Sequence, residues 1–256
     1  MKKLALSLLV GATIFLAGCF ETTQEITLKA DGSGTISNTN DMSSLLGILK
    51  QMGGGQGMDQ IPDKKIDSTI SMEGGADSIP NLTPAERQMV KKGTLNIKMD
   101  MKADQLLTNI SFPFSDPSQV AVYNKLSNKV IGETLKDQMS NAAKQPGATD
   151  EAVDMPEPTS IDDYYTLEFS NGELTKKLDA SKFAKVGDDQ YLKSIKEAGS
   201  MGMNMKANYI INLPRPATKA EGKNVKLSED KKKVTISVDI DDFFDNPSSL
   251  EFKIKY

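Results

Sequence analysis

The sequence predicts an α+β fold, a mainly antiparallel sheet of about eight to ten strands with three or four helices, arranged as one unit of two coupled lobes. Three observations lead there. Segments spread along the chain alternate apolar and polar residues with a period of two, the pattern of strands with one dry and one wet face. Thr83-Pro84-Ala85-Glu86 and Asp116-Pro117-Ser118-Gln119 interrupt them, each a capping box with proline at the first helical position. A stretch rich in Pro, Ala and acids, residues 140–160, divides the chain with the composition of a flexible linker or loop.

The first strands are read at Ile26 and Leu28 and, beyond Lys29-Ala30-Asp31-Gly32-Ser33-Gly34, at Ile36. The glycines of that turn are expected to supply positive φ. It is no phosphate loop, because no lysine follows Gly34, and no EF-type calcium loop, because Ile36 and Met42 stand where glycine and glutamate are needed. Asn40 or Asp41 is read as the cap of a helix carrying Leu45, Leu46 and Leu49, followed by a glycine-rich stretch, residues 52–60. Ile66, Ile70 and Met72; Leu95, Ile97, Met99 and Met101; and Ile110, Phe112 and Phe114 give three further strands. A helix beginning at Thr83-Pro84 ends near Gly93, and a longer one covers roughly 117–139 with Val120, Tyr123, Leu126, Val130 and Leu135 near one face. Tyr165, Leu167 and Phe169 lead into Asn171-Gly172, the strongest short hairpin signal. A helix spans about 188–198, before Gly199. Met203 to Leu213 alternates until Pro214; Val234 to Ile240 and Leu250 to Tyr256 close the chain with the same period.

The N-terminus places Lys2 and Lys3 before an apolar run that ends in Leu16-Ala17-Gly18-Cys19. Its length and charge are those of a secretory signal peptide, and its end resembles the bacterial lipobox, with Leu16, Ala17 and Gly18 leading to Cys19 as the residue expected to be lipidated. Residues 19–256 hold no other cysteine, so Cys19 has no disulfide partner in its own chain. Several acyl chains on one residue anchor a protein durably where one does so marginally. The organisation read is a signal peptide at 1–18, a lipidated Cys19 with a tether to 24, an N-terminal α+β lobe at 25–139, the linker or loop at 140–160 and a β-rich lobe at 161–256. Phe20 is not the aspartate that retains lipoproteins at the inner membrane of enteric bacteria, which favours the outer membrane.

Composition excludes much chemistry. There is no histidine, hence no imidazole base, metal ligand or Ser-His-Asp arrangement. Thiolate and zinc-thiolate sites are absent beyond Cys19. Removing residues 1–18 takes two lysines and no acid, so 31 basic and 35 acidic residues leave a net charge of −6, unsuited to nucleic acid.

The chain is read as non-enzymatic and without a cofactor. Asp239, Asp241, Asp242 and Asp245 are a candidate calcium set, weighed against a solvated connecting loop. Met201, Met203 and Met205 are a candidate copper set, weighed against methionine as core filler. Glu168 and Glu173 beside the Asn-Gly turn, with Asp162 and Asp163 before it, are the carboxylates a glycoside hydrolase would need.

The order of pieces, a lipobox, Asp31-Gly32-Ser33-Gly34, Asp41-Met42-Ser43, Leu82-Thr83-Pro84-Ala85-Glu86, Ile110-Ser111-Phe112-Pro113-Phe114 and Ser228-Glu229-Asp230-Lys231-Lys232, resembles uncharacterised envelope lipoproteins of Bacteroidetes-type bacteria. The resemblance implies an envelope protein and carries over no catalytic residue. The expected partners are the membrane, through the acyl chains on Cys19, and another envelope protein or a small apolar ligand that methionine-rich strands could line.

Overall fold

The computed structural model describes residues 19–41, 43, 65–100, 102–143, 159–200 and 204–256. Among these residues the chain forms twelve strands and five α-helices, an α+β fold built mainly of sheet. The strands are β1 (Cys19–Leu28), β2 (Gly34–Asp41), β3 (Lys65–Ser71), β4 (Thr94–Asp100), β5 (Gln105–Phe114), β6 (Tyr165–Ser170), β7 (Glu173–Leu178), β8 (Asn204–Asn212), β9 (Lys219–Glu221), β10 (Val225–Leu227), β11 (Lys233–Asp239) and β12 (Phe252–Lys255). The helices are α1 (Pro84–Val90), α2 (Val120–Ala143), α3 (Ala180–Phe183), α4 (Gln190–Ser200) and α5 (Ile240–Asp245).

An eight-stranded sheet runs β10-β11-β8-β1-β2-β5-β4-β3, and a four-stranded sheet runs β6-β7-β12-β9. The large sheet joins strands from both sides of residues 140–160, because β8 lies parallel against β1 from Cys19↔Asn204 to Thr27↔Asn212. Residues 19–24, read as a tether, are the first part of β1 and are paired on both sides from Glu21 onward. The strand takes them because Gln24 continues the inward row of Ile26 and Leu28. The last two strands, alike in sequence, part company: β11 pairs with β8, whereas β12 pairs with β7 and β9.

Alternation decides which face is dry. Gln24, Ile26 and Leu28 of β1, Ile36 and Asn38 of β2, Ile110, Phe112 and Phe114 of β5, Tyr209 and Ile211 of β8, and Val234, Ile236 and Val238 of β11 are all buried. Helix α2 lies on this side with Val120, Tyr123, Leu126 and Val130 inward, and Tyr123 stacks on Phe112 at 5.2 Å between ring centres. The small sheet contributes Phe169, Leu174, Phe252 and Ile254 to the same core. Phe243 of α5 sits among Tyr164, Tyr165, Phe183 and Phe244.

Two glycines are required for different reasons. Gly32 has φ +87° in the first turn, as expected, but Gly34 does not have positive φ. A Cβ on Gly34 would lie 2.0 Å from the Thr27 carbonyl oxygen and 2.5 Å from the Phe114 ring. It is glycine because two strands and an aromatic ring close on it. In the Asn171-Gly172 turn only Gly172 takes positive φ, +106°. Gly93 likewise lies under the Phe112 ring, 2.4 Å from a would-be Cβ.

Helix α1 starts as its sequence dictates. Thr83 Oγ1 accepts from the Glu86 N–H, and the Glu86 carboxylate accepts from the Thr83 N–H at 2.8 Å. Lys129 of α2 adds an ion pair to Glu86 at 2.9 Å. The second capping box, Asp116 with Gln119, starts a 3-10 turn, Pro117–Gln119, that runs into α2. At the end of β2 the Asp41 carboxylate accepts from the Ser43 N–H; the helix expected at Leu45, Leu46 and Leu49 and the glycine-rich stretch lie outside the described residues.

Several turns are closed by carboxylates held below their ordinary range by the hydrogen bonds they accept: Asp31 by Ser33, Asp116 by Ser118, Asp179 by Ser181, Asp230 by Ser228, and Glu86 by the Thr83 backbone and then Lys129.

Three outcomes follow. Thr83→Ala, which removes one half of the capping box, lowers the unfolding free energy by about 1 kcal/mol in urea titrations. Gly34→Ala lowers it by roughly 3 kcal/mol, the upper part of the range for forcing atoms into a packed site. Because the turn carboxylates have folded pKa values below their unfolded ones, their stabilisation is complete above pH ~5 and is lost as pH falls through the lowered values; the urea midpoint should drop steadily below about pH 4.

Candidate functional site

The most concentrated chemistry in the described residues is a buried polar cluster between the two sheets and helix α2. Three pieces of sequence create it. Ser160 caps the 3-10 turn Ile161–Tyr164 by accepting from the Asp162 N–H, which leaves the Asp162 carboxylate free to turn inward. In β7, Leu174 and Lys176 share the inward face, so alternation places a lysine where the neighbouring position carries leucine. Tyr209 of β8 reaches the same point from the large sheet.

Asp162 and Lys176 form a buried ion pair, their side chains 7% and 1% exposed. The lysine Nζ also lies 3.9 Å from the centre of the Tyr209 ring and 4.6 Å from that of Tyr165, two aromatic faces that favour a cation. The Tyr209 hydroxyl donates to Asp162 Oδ1 at 2.9 Å, and Asn124 of α2 donates to Oδ2. Gln24 Nε2 donates to Asn124 Oδ1 at 2.8 Å and reaches Asp162 Oδ2 at 3.4 Å. Asn38 Nδ2 donates to Ser127 Oγ at 2.9 Å, and Ser127 returns a hydrogen bond to the Tyr123 carbonyl.

Burial holds Lys176 below the ordinary lysine value while Asp162 pulls the other way. Burial, then the Asp162 charge, raises Tyr209 well above the ordinary phenol, and burial chiefly raises Tyr165. The Tyr165 hydroxyl donates to the Pro247 carbonyl at 2.6 Å.

Every side chain of this cluster is used inward. Among the described residues the sole buried side-chain polar atom without a hydrogen bond is Ser249 Oγ, outside the cluster. The Asp162 carboxylate is engaged by Lys176, Tyr209, Asn124 and Gln24, and the lysine is enclosed between two rings. The arrangement ties β1, β2, β7, β8, α2 and the 161–164 turn together.

The carboxylates considered for hydrolysis are dispersed. Asp162 is in the buried pair, and Asp163 pairs with Lys125 at 3.6 Å. Glu173 is claimed by Lys253 at 2.7 Å and Lys255 at 3.2 Å, which hold it below its ordinary value, Lys253 first. Glu168 is exposed on β6 opposite Thr175.

The acidic run is a short helix rather than a connecting loop: Asp239 is the residue before α5, Asp241 and Asp242 lie in its first turn and Asp245 at its end. The four are exposed while Ile240 and Phe243 point inward, a three-residue spacing that makes the segment helical. Among the described residues no three acidic, His or Cys side chains converge as a metal site would require. Of the methionine set, Met205 packs against the core from β8; Met201 and Met203 lie outside the described residues. So do Leu16, Ala17 and Gly18. Cys19 is the first residue of β1.

The opposite face of the large sheet is mainly polar, Ile210 and Leu107 apart. One row of register partners reads Ser237, Asn208, Thr23, Thr39, Asn109, Asn96 and Thr69, from β11 through to β3. The next reads Thr235, Ile210, Glu25, Ser37, Ser111, Thr94 and Ser71. Asn109 donates to Thr39 at 2.7 Å, Asn96 to Thr69 at 3.0 Å, Ser37 to Ser111 at 2.9 Å and Ser237 to Asn208 at 2.6 Å. These short polar side chains make a hydrogen-bonding surface.

No protein-family model matches the chain, and no curated protein matches it. Among solved structures, the NMR structure of the folded domain of the Mycobacterium tuberculosis protein LppM (Rv2171) aligns over 94% of this chain and 91% of that one, with 8% sequence identity and a TM-score of 0.36. The fold is accordingly defined by its own strand order.

Removing one member of the buried pair leaves the other charge stranded. Lys176→Met should cost about 3–5 kcal/mol in urea unfolding. Adding Asp162→Asn to it should restore more than half of that loss, since both charges are then gone.

Proposed function

We propose that this protein is a lipid-anchored component of a bacterial cell envelope whose α+β domain serves as a non-enzymatic interaction module. The observation that carries the reading is Leu16-Ala17-Gly18-Cys19 at the end of a signal-type segment, with Cys19 also the first residue of a central strand. Cleavage before Cys19 places the first residue of β1 at the lipid.

The non-enzymatic part rests on the closed polar cluster, whose donors and acceptors face one another, and on a chain without histidine. The interaction surface is the polar face of the large sheet, where Thr, Ser and Asn of seven strands stand in rows. Side chains that short lose little rotamer entropy on contact, and a partner's polar groups can replace their mutual hydrogen bonds. Phe20 after the cysteine favours the outer membrane. The order of motifs that resembles Bacteroidetes-type envelope lipoproteins supports the same assignment.

In the native host, Cys19→Ala should move the protein from the membrane pellet to the soluble fraction or leave it as uncleaved precursor, and the acyl mass on the N-terminal peptide should vanish; unchanged membrane extraction would refute the anchor. A photo-crosslinker at Asn109 should capture a discrete envelope partner, whereas the same group at exposed Val122 of α2 should not. Equal capture from both positions would refute the sheet face.

A further inference from the structure

The sheet is asymmetric along its strands. At the end that holds the Lys29–Ser33 turn, the inward residues are sealed: Leu28, Phe114, Leu213 and Tyr256 are all at most 6% exposed. At the end that holds Cys19 the described residues cover the inward face less completely. Leu95 of β4 still packs against the core, but Ile97 and Met99, further along the same face, are part-exposed and are not among the residues packed on it. Leu106 and Ile66 are their neighbours in the row, through Leu106↔Met99 and Met99↔Ile66, and are part-exposed as well.

This strip lies level with the anchor. Glu21, Asp41, Leu107, Lys98 and Asp67 form one cross-strand row; Cys19 lies two residues beyond Glu21, and the Leu106-Met99-Ile66 row one step beyond Leu107, at the same end. No tether intervenes, because β1 pairs with β8 from Cys19 onward. Acyl chains on Cys19 therefore bring this end, with its apolar strip, to the bilayer.

From this geometry we propose that the domain stands on the membrane on the Cys19 end of its large sheet, with Ile66, Met99 and Leu106 inserted among the lipids. The inference rests on the anchor reading above and specifies what that anchor does to the domain. The charged row beside the strip, with Glu21, Asp41 and Asp67 against Lys98, and the exposed Asp239, Asp241 and Asp242 at the same end, match a zwitterionic surface rather than an anionic one. The opposite end, Lys29, is ten residues from Cys19 along β1, roughly 33 Å at ~3.3 Å per residue, beyond the headgroups.

The chain has no tryptophan, so one introduced indole reports its own depth. Mature, acylated protein carrying Leu106→Trp, Ile66→Trp or Lys29→Trp is reconstituted into phosphatidylcholine vesicles with and without brominated phosphatidylcholine. The Leu106→Trp and Ile66→Trp emissions should be blue-shifted and quenched several-fold more than that of Lys29→Trp. Ile66 is on the edge strand β3, so its variant remains informative if Leu106→Trp does not fold.

Equal quenching at all three positions overturns the orientation. A blue-shifted emission that brominated lipid leaves unquenched places the strip under protein and overturns it too. Vesicle flotation and the acyl mass on Cys19 are read in the same samples. Protein that floats and carries acyl chains but fails the quenching test refutes the docking alone; an unmodified Cys19 refutes the anchor and the docking with it.

Discussion

The architecture turns on the buried contact between Asp162 and Lys176. Two ions out of water are costly, and their attraction offsets that cost only when remaining hydrogen bonds are made. Here they are made by groups from everywhere: Tyr209 from β8, Asn124 from α2 and Gln24 from β1. An apolar core tolerates small slips of one layer on another, whereas this set of directed contacts does not. The pair thus fixes how the small sheet and α2 sit on the large sheet, a choice that hydrophobic area alone leaves soft.

Much of the strand layout was legible in the sequence, because a half-buried strand has to alternate. Ile26 with Leu28, Ile110 with Phe112 and Phe114, and Val234 through Val238 all face the side their spacing requires. Helix starts were legible for the same kind of reason, since Thr83 with Glu86 and Asp116 with Gln119 satisfy local backbone groups whatever surrounds them. What stayed hidden is non-local. Nothing in Cys19–Leu28 announces a parallel partner near residue 204, and nothing in the last two strands says that they go to different sheets.

The candidate site was partly written in plain view. Lys176 follows Leu174 on the inward face of β7, a charged residue in a dry row, beside the exposed Lys177. In the sequence Asp162 is one of several carboxylates near a hairpin, and its role depends on a turn that only the fold points inward. The helix α5 was obscured in a similar way, its Ile240 and Phe243 spacing outweighed by the density of aspartates around it.

The parallel pairing of β1 with β8 joins distant parts of the chain, and a side-chain hydrogen bond from Asn208 to Glu21 across it spans 187 positions. The strand that begins at Cys19 is bonded to β8 along its length, in parallel, and from Glu21 onward also to β2, antiparallel. A pull on Cys19 directed along the strand would load the hydrogen bonds of two ladders in shear instead of opening them one after another as at a peeled edge. Under the proposed anchoring, the load of the membrane attachment enters the domain through a strand held by two ladders.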